Sequence, residues 1–247
     1  GHLLESGGAG SGSDPHQHAI STEADVARIM RQLLEAIAFL HSRGVAHLDI
    51  KPEHIMFRDS SIILVDFGHA AFIESNGNTS RPMSRLAGSP LYAAPEVLKG
   101  AYTETCDMWS AGVIMYVLMS GEHPFQGATA FEIADNVLKG NYTSSAGWNH
   151  ISPSGRNLVA SLMQTDPTMR ISLQDALAHE WWGVAAEQRQ PLPLDVVDGL
   201  RNLYKRDLAE NTRQPSRSQR GDQHQLRNRL NRLKISPNNA RKFFKGR

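Results

Sequence analysis

Three functional side chains share one short loop. They are the carboxylate of Asp49, the ammonium of Lys51 and the imidazole of His54, in the run His47-Leu48-Asp49-Ile50-Lys51-Pro52-Glu53-His54. Seventeen residues after Asp49, a second carboxylate opens the run Asp66-Phe67-Gly68. A lone acid in a polar loop is most often an ordinary solvated residue. Two carboxylates, a cation and an imidazole in so little chain offer more: proton acceptance, cation binding and neutralisation of negative charge. Downstream come Gly88-Ser89-Pro90-Leu91-Tyr92-Ala93-Ala94-Pro95-Glu96, then Asp107-Met108-Trp109-Ser110-Ala111-Gly112, and finally Arg170. Each short motif alone is weak, and their order and structural setting give them weight.

The elements that must position these residues are legible. Thr22 and Asp25 form a capping pair, and Val26, Ile29, Met30, Leu33, Ile37 and Leu40 recur at helical spacing up to a stop near Gly44. Two β-type runs, Ile55–Phe57 and Ile62–Val65, flank the polar turn Arg58-Asp59-Ser60-Ser61. The segment from Gly68 to Pro90 is rich in Gly, Asn, Ser and Pro. Cys106–Met119 is apolar nearly all round, which predicts a buried helix. Helical patterns return at Ala130–Lys139, Pro153–Gln164 and Leu173–Ala178, and from Gln190 the composition turns to Arg, Asn and Gln. The expected divisions are a flexible Gly/Ser-rich segment over 1–20, one lobe over 21–189 and a basic tail over 190–247.

The ordered motifs resemble the signature set of serine/threonine protein kinases over about residues 21–182. The resemblance implies a mainly α fold, the kinase C-terminal lobe with a short β-hairpin at its catalytic loop, followed by a helical or disordered basic tail. It also implies ATP and Mg²⁺ as cofactors and a protein as substrate. Phosphoryl transfer asks for positioning and charge neutralisation rather than covalent chemistry. Asp49 stands where the family's catalytic base accepts the substrate hydroxyl's proton, and Lys51 where a lysine steadies the transferred phosphate. Asp66 stands where Mg²⁺ is held, with Phe67 and His47 packed beneath. Met56 stands at the floor under adenine. Lys51 and Ser89, in Gly-Ser-Pro with Pro90, mark the serine/threonine branch and the substrate-facing segment. Glu96 and Arg170 correspond to a bracing ion pair, and Asp107 to a carboxylate that binds the catalytic-loop backbone. Glu53 matches an acid that contacts basic residues before the phosphorylated side chain, which implies arginine-rich substrates.

Several departures qualify that reading. No Gly-rich loop after a strand, no Val-Ala-Ile-Lys lysine and no glutamate partner for it occur, so the expectation is a chain cut just past the hinge at Gly1-His2-Leu3-Leu4 and inactive by itself. His54 replaces the asparagine that holds a second Mg²⁺, and imidazole suits Zn²⁺ or Fe²⁺ better. Leu48 replaces the arginine that pairs with an activation-loop phosphate. The alternative is therefore a pseudokinase or regulatory docking module.

A finer resemblance, to the calcium/calmodulin-dependent protein kinase group, rests on Ser120-Gly121-Glu122-His123-Pro124-Phe125, on Ala178-His179-Glu180-Trp181 and on Pro193–Leu203, which is similar to an autoinhibitory helix. Val196, Leu200 and Leu203 would supply its apolar contact over the substrate groove. Residues 200–247 hold 14 of the 26 Lys+Arg but three of the 25 Asp+Glu, so an acidic body carries a basic tail. Residues 213–247 read first as a solvated, disordered basic extension; the alternative is a basic helix with Leu226, Leu230 and Ile235 on one side, a target for calmodulin or another EF-hand protein. No aromatic side chain interleaves the basic run 227–234, which disfavours nucleic acid. Ser84 and Ser216 each follow an arginine by three residues and read as regulatory phosphorylation sites. One cysteine, no signal pattern and no apolar run of membrane-spanning length give the expectation of a cytoplasmic chain.

Overall fold

A computed structural model describes residues 20–58, 61–73, 91–99, 102–142 and 146–211. Ser84, Ser89, Pro90, Ser216, Leu226, Leu230 and Ile235 lie outside the described residues, as do His2 and the Gly/Ser-rich opening. The first helix, α1 (Glu23–Ser42), begins where its cap predicts. The Thr22 hydroxyl accepts from the Asp25 N–H at 3.2 Å, and the Asp25 carboxylate accepts in return from the Thr22 N–H at 3.1 Å. Burial pushes the Asp25 carboxyl up, but the Ser21 N–H and the hydroxyls of Thr22 and Ser21 hold it below the ordinary value. Its buried face carries the six apolar residues that set the period, Val26 through Leu40.

The strands are short and serve the loops between them. β1 (Val45–Ala46) pairs antiparallel with β4 (Ala71–Phe72), while β2 (Ile55–Arg58) and β3 (Ser61–Leu64) form a hairpin in the register Ile55↔Leu64, Met56↔Ile63. After a single turn, α2 (Pro95–Leu98), comes α3 (Cys106–Ser120), all fifteen of whose residues are buried. A helix without a polar face has to be central. α3 packs against α1, against α5 (Pro153–Leu162) and against α8 (Leu194–Asn211). At Gly112 the fit with α5 is so close that an added Cβ would lie 2.8 Å from Leu162 Cβ and Met163 Cγ. The remaining helices, α4 (Ala130–Lys139), α6 (Leu173–Leu177) and α7 (Trp181–Glu187), complete the surround, α6 and α7 packing on α1.

The composition shift at Gln190 does not coincide with the end of packing. Leu192 N–H donates to the Ser21 carbonyl at 2.7 Å, and Leu192, Val196 and Leu200 are buried in the common core. α8 meets the end of α3 backbone to backbone: Gly121 (φ +74) would place a Cβ 2.6 Å from the Val196 carbonyl oxygen, and a Cβ on Gly199 would strike the Gly121 carbonyl. Leu203 packs partly buried against the same core. α5 is two residues shorter than its apolar pattern predicts, because the Met163 backbone leaves the helical region (φ −98°, ψ 33°).

Candidate active site

The start of the 47–54 loop is placed by a carboxylate from another element. Asp107, in the first turn of α3 and buried, accepts from the backbone N–H of His47 and of Leu48, both at 2.9 Å, and contacts His41 Nε2 at 2.9 Å. A buried carboxylate is tolerated when its oxygens are hydrogen-bonded in this way. The reward for the loop is conformational. Leu48 sits at φ 66°, the left-handed region that costs a branched residue about 1–2 kcal/mol, and Asp107 holds its N–H there.

His47 is fully buried. Its Nδ1 accepts the Asp49 N–H at 3.3 Å, so Nε2 carries the hydrogen and donates to the Val65 carbonyl at 3.1 Å. Burial holds this imidazole below its ordinary value, against the opposing pull of Asp107 and the Val65 carbonyl. Its ring lies 4.9 Å from that of Phe67. One neutral side chain thus ties the loop to the start of Asp66-Phe67-Gly68.

The turn after Lys51, a 3-10 segment over Pro52–His54, brings His54 back over Asp49. His54 Nδ1 lies 2.7 Å from the Asp49 carbonyl oxygen and 3.5 Å from its carboxylate. The hairpin then returns the chain to the same point, because the Val65 N–H donates to the His54 carbonyl at 2.9 Å. Asp66 follows at φ 60°, one carboxylate oxygen accepting from the Gly68 N–H at 3.1 Å and the other 3.5 Å from His54 Nε2. Lys51 Nζ lies 3.5 Å from Asp49 Oδ2. The structure therefore gathers Asp49, Lys51, His54 and Asp66 at one site, with Asp66 the most open of the four at 46% side-chain exposure.

Around this centre, Met56 is exposed on β2 beside its cross-strand partner Ile63, also exposed. The family resemblance singled out Met56 and passed over Ile63; the run Ile62-Ile63-Leu64 is apolar throughout, and only the structure shows Ile62 and Leu64 inward and Ile63 outward. Glu53 Oε2 is buried and takes no hydrogen bond among the described residues. His41 was also passed over, since nothing in a last-turn histidine foretells a partner 66 residues away.

Glu96 and Arg170 form a buried bidentate pair, with Nη2 donating to Oε2 at 2.9 Å and Nη1 to Oε1. Arg170 also donates to the Gln164 carbonyl from Nε (3.1 Å) and Nη2 (2.8 Å) and to the Thr105 carbonyl (3.0 Å). Its guanidinium lies 5.3 Å from the Trp109 ring, whose other neighbour, Phe125, stacks at 5.5 Å. Burial and the neighbouring Asp107 and Glu96 push the Cys106 thiol well up, so it stays an apolar core group.

Carboxylates 49 and 66 with a lysine between them can accept a proton, hold a hard cation and neutralise an anionic group. As a donor set, Asp66 suits Mg²⁺, whereas the His54 nitrogen is the softer ligand. Comparison with known proteins gives this arrangement its context. The chain is 39% identical over 166 residues to calcium/calmodulin-dependent protein kinase type 1 of Caenorhabditis elegans, covering 65% of this chain and 46% of that relative. It is likewise 39% identical over 165 residues to calcium-dependent protein kinase 4 of Plasmodium berghei, covering 64% of this chain and 30% of the relative. The chain thus spans less than half the length of these curated relatives. Its residues 8–182 match the protein kinase domain, and the chain belongs to that family.

Proposed function

We propose that the protein supports ATP-dependent phosphoryl transfer to serine or threonine hydroxyls of protein substrates, with the residues described here forming the C-terminal-lobe side of the site. The convergence of Asp49, Lys51 and Asp66 on one point carries the proposal. Asp49, near Lys51 and oriented by the His47 contact to its own N–H, accepts the proton of the attacking hydroxyl. Lys51 faces the transferred phosphate and offsets its charge. Asp66 would hold Mg²⁺, with the softer His54 nitrogen a poor second ligand beside it, and the ion would supply neutralisation of the phosphate oxygens when bound with ATP. The exposed apolar pair Met56 and Ile63 supplies a surface for adenine. By the family resemblance, Glu53 would contact an arginine of the substrate.

Leu48 and His54 favour one second reading, a pseudokinase that docks partners without transfer. Regulation by the tail also belongs to the proposal, with a correction: Val196 and Leu200 are buried in the core at the C-terminal end of α3, with Leu203 packed against it, rather than laid over a substrate groove, so the regulatory part rests on capture of Leu226, Leu230 and Ile235 by an EF-hand protein. Calcium-dependent calmodulin binding to a peptide of residues 219–247 tests it, and no binding at micromolar concentration ends it. The function itself is tested by transfer of radiolabelled γ-phosphate from ATP to a protein substrate with phosphoamino-acid analysis. Labelled phosphoserine or phosphothreonine that disappears in Asp49→Ala supports transfer; none in any form of the protein leaves the docking reading.

A further inference from the structure

We propose that His54 Nε2 and Asp66 Oδ2 form a cation position that prefers an imidazole-accepting divalent transition metal, such as Co²⁺, Fe²⁺ or Zn²⁺, over Mg²⁺. The tautomer of His54 makes the case. Its Nδ1 lies 2.7 Å from the Asp49 carbonyl oxygen, an acceptor, so Nδ1 must carry a hydrogen and donate it. In the neutral ring the lone pair is then on Nε2, the atom that faces Asp66 Oδ2 at 3.5 Å. That separation is one that two ligands of a single cation span when each sits about 2.1 Å from it. A buried ring fixed by a backbone hydrogen bond is also how metal-binding histidines are generally oriented.

An asparagine in this place would offer the same pair of functions, an N–H to the carbonyl and an oxygen to the metal. Histidine keeps the first and exchanges a hard oxygen for a borderline nitrogen, which shifts preference away from Mg²⁺. Among the described residues no cluster of three or more His, Cys, Asp or Glu could hold a metal. The site is thus a two-ligand platform whose other positions are left to water or phosphate. The location rests on the proposed kinase site; the preference rests on the ring geometry.

The experiment is Co²⁺ titration of the 247-residue chain, followed by proton NMR and by competition with Mg²⁺. Co²⁺ should produce a hyperfine-shifted, slowly exchanging ring N–H, that of His54 Nδ1 held by the Asp49 carbonyl. His54→Asn should abolish that signal and lower the Mg²⁺ concentration that displaces Co²⁺ by about tenfold, the lower end for changes around a metal ligand. Asp66→Asn should also abolish it, with the ring hydrogen bond intact, and thermal melting shows that both variants are folded. A shifted N–H that persists in His54→Asn, no shifted N–H at millimolar Co²⁺, or equal displacement by Mg²⁺ in both forms would overturn the proposal. None of these readouts involves phosphoryl transfer, so a chain that binds Co²⁺ through His54 but transfers nothing sinks the kinase reading alone.

Discussion

The two ends of α1 are each held by a buried carboxylate, and the two carboxylates hold different things. The helix is twenty residues long, so its ends are about 30 Å apart. At the N-terminal end Glu23 accepts from the Ser152 hydroxyl, from the Ser152 N–H at 3.3 Å and from Trp181 Nε1 at 2.6 Å. Those contacts join three elements, α1, α5 and α7, into one block. At the C-terminal end Asp107 accepts from two consecutive backbone N–H groups of a loop. One carboxylate braces helices against each other, and the other imposes a backbone conformation that Leu48 would not adopt alone. The contrast teaches that burial and hydrogen bonding do not mark a functional residue; what the residue holds does.

A third buried acid, Glu96, belongs to neither end. Glu96→Ala should leave the Arg170 guanidinium buried without its partner and cost about 3–5 kcal/mol in denaturant unfolding. Next, Glu23→Gln and Asp107→Asn should each cost about 1–3 kcal/mol, since each exchanges an acceptor for an amide among donors. Only Asp107→Asn should also reduce phosphoryl transfer, because only it frees the His47–Leu48 backbone. If Glu23→Gln lowered turnover equally at matched folded fraction, the division between the two ends would fail. A smaller effect is expected at the cap: Thr22→Ala should cost about 1 kcal/mol, read as a shift of the urea midpoint at unchanged slope.

The smallest effect is a pH dependence. Burial holds the folded His47 imidazole below its ordinary value, so the unfolded chain takes up that proton first. Its contribution is therefore fully present above about pH 6.5 and is lost as pH falls from there toward the folded value. His47→Phe should flatten the stability profile in that window, and an unchanged slope would show that His47 does not titrate there.

Much of the fold was legible because its signals are local. The Thr22–Asp25 cap, the all-round apolar α3 and the bounds of α4 each follow from a few adjacent residues. The gathering of Asp49, Lys51, His54 and Asp66 was legible from residue types in order. The seating of α8 was not, because Gln190 begins a change of composition that hides Leu192, Val196 and Leu200 as core residues. Nor were Glu23 and His41, whose partners are 158 and 66 residues away and carry no local pattern. The tautomer of His54 also needed coordinates, since it depends on a carbonyl rather than on any side chain.

The central claim is that Asp49 does chemistry while its surroundings provide the frame. Asp49→Asn keeps the shape, and Lys51 and His54 remain beside it. Single-turnover transfer of labelled phosphate should be measured in wild type and Asp49→Asn, in a form of the protein that supports transfer, alongside thermal melting of both. The expected result is a loss of about 10²–10⁴-fold in rate, as for removal of a general base, with melting unchanged within a degree or two. Transfer retained within a fewfold of wild type, in a variant that melts normally, would contradict the account.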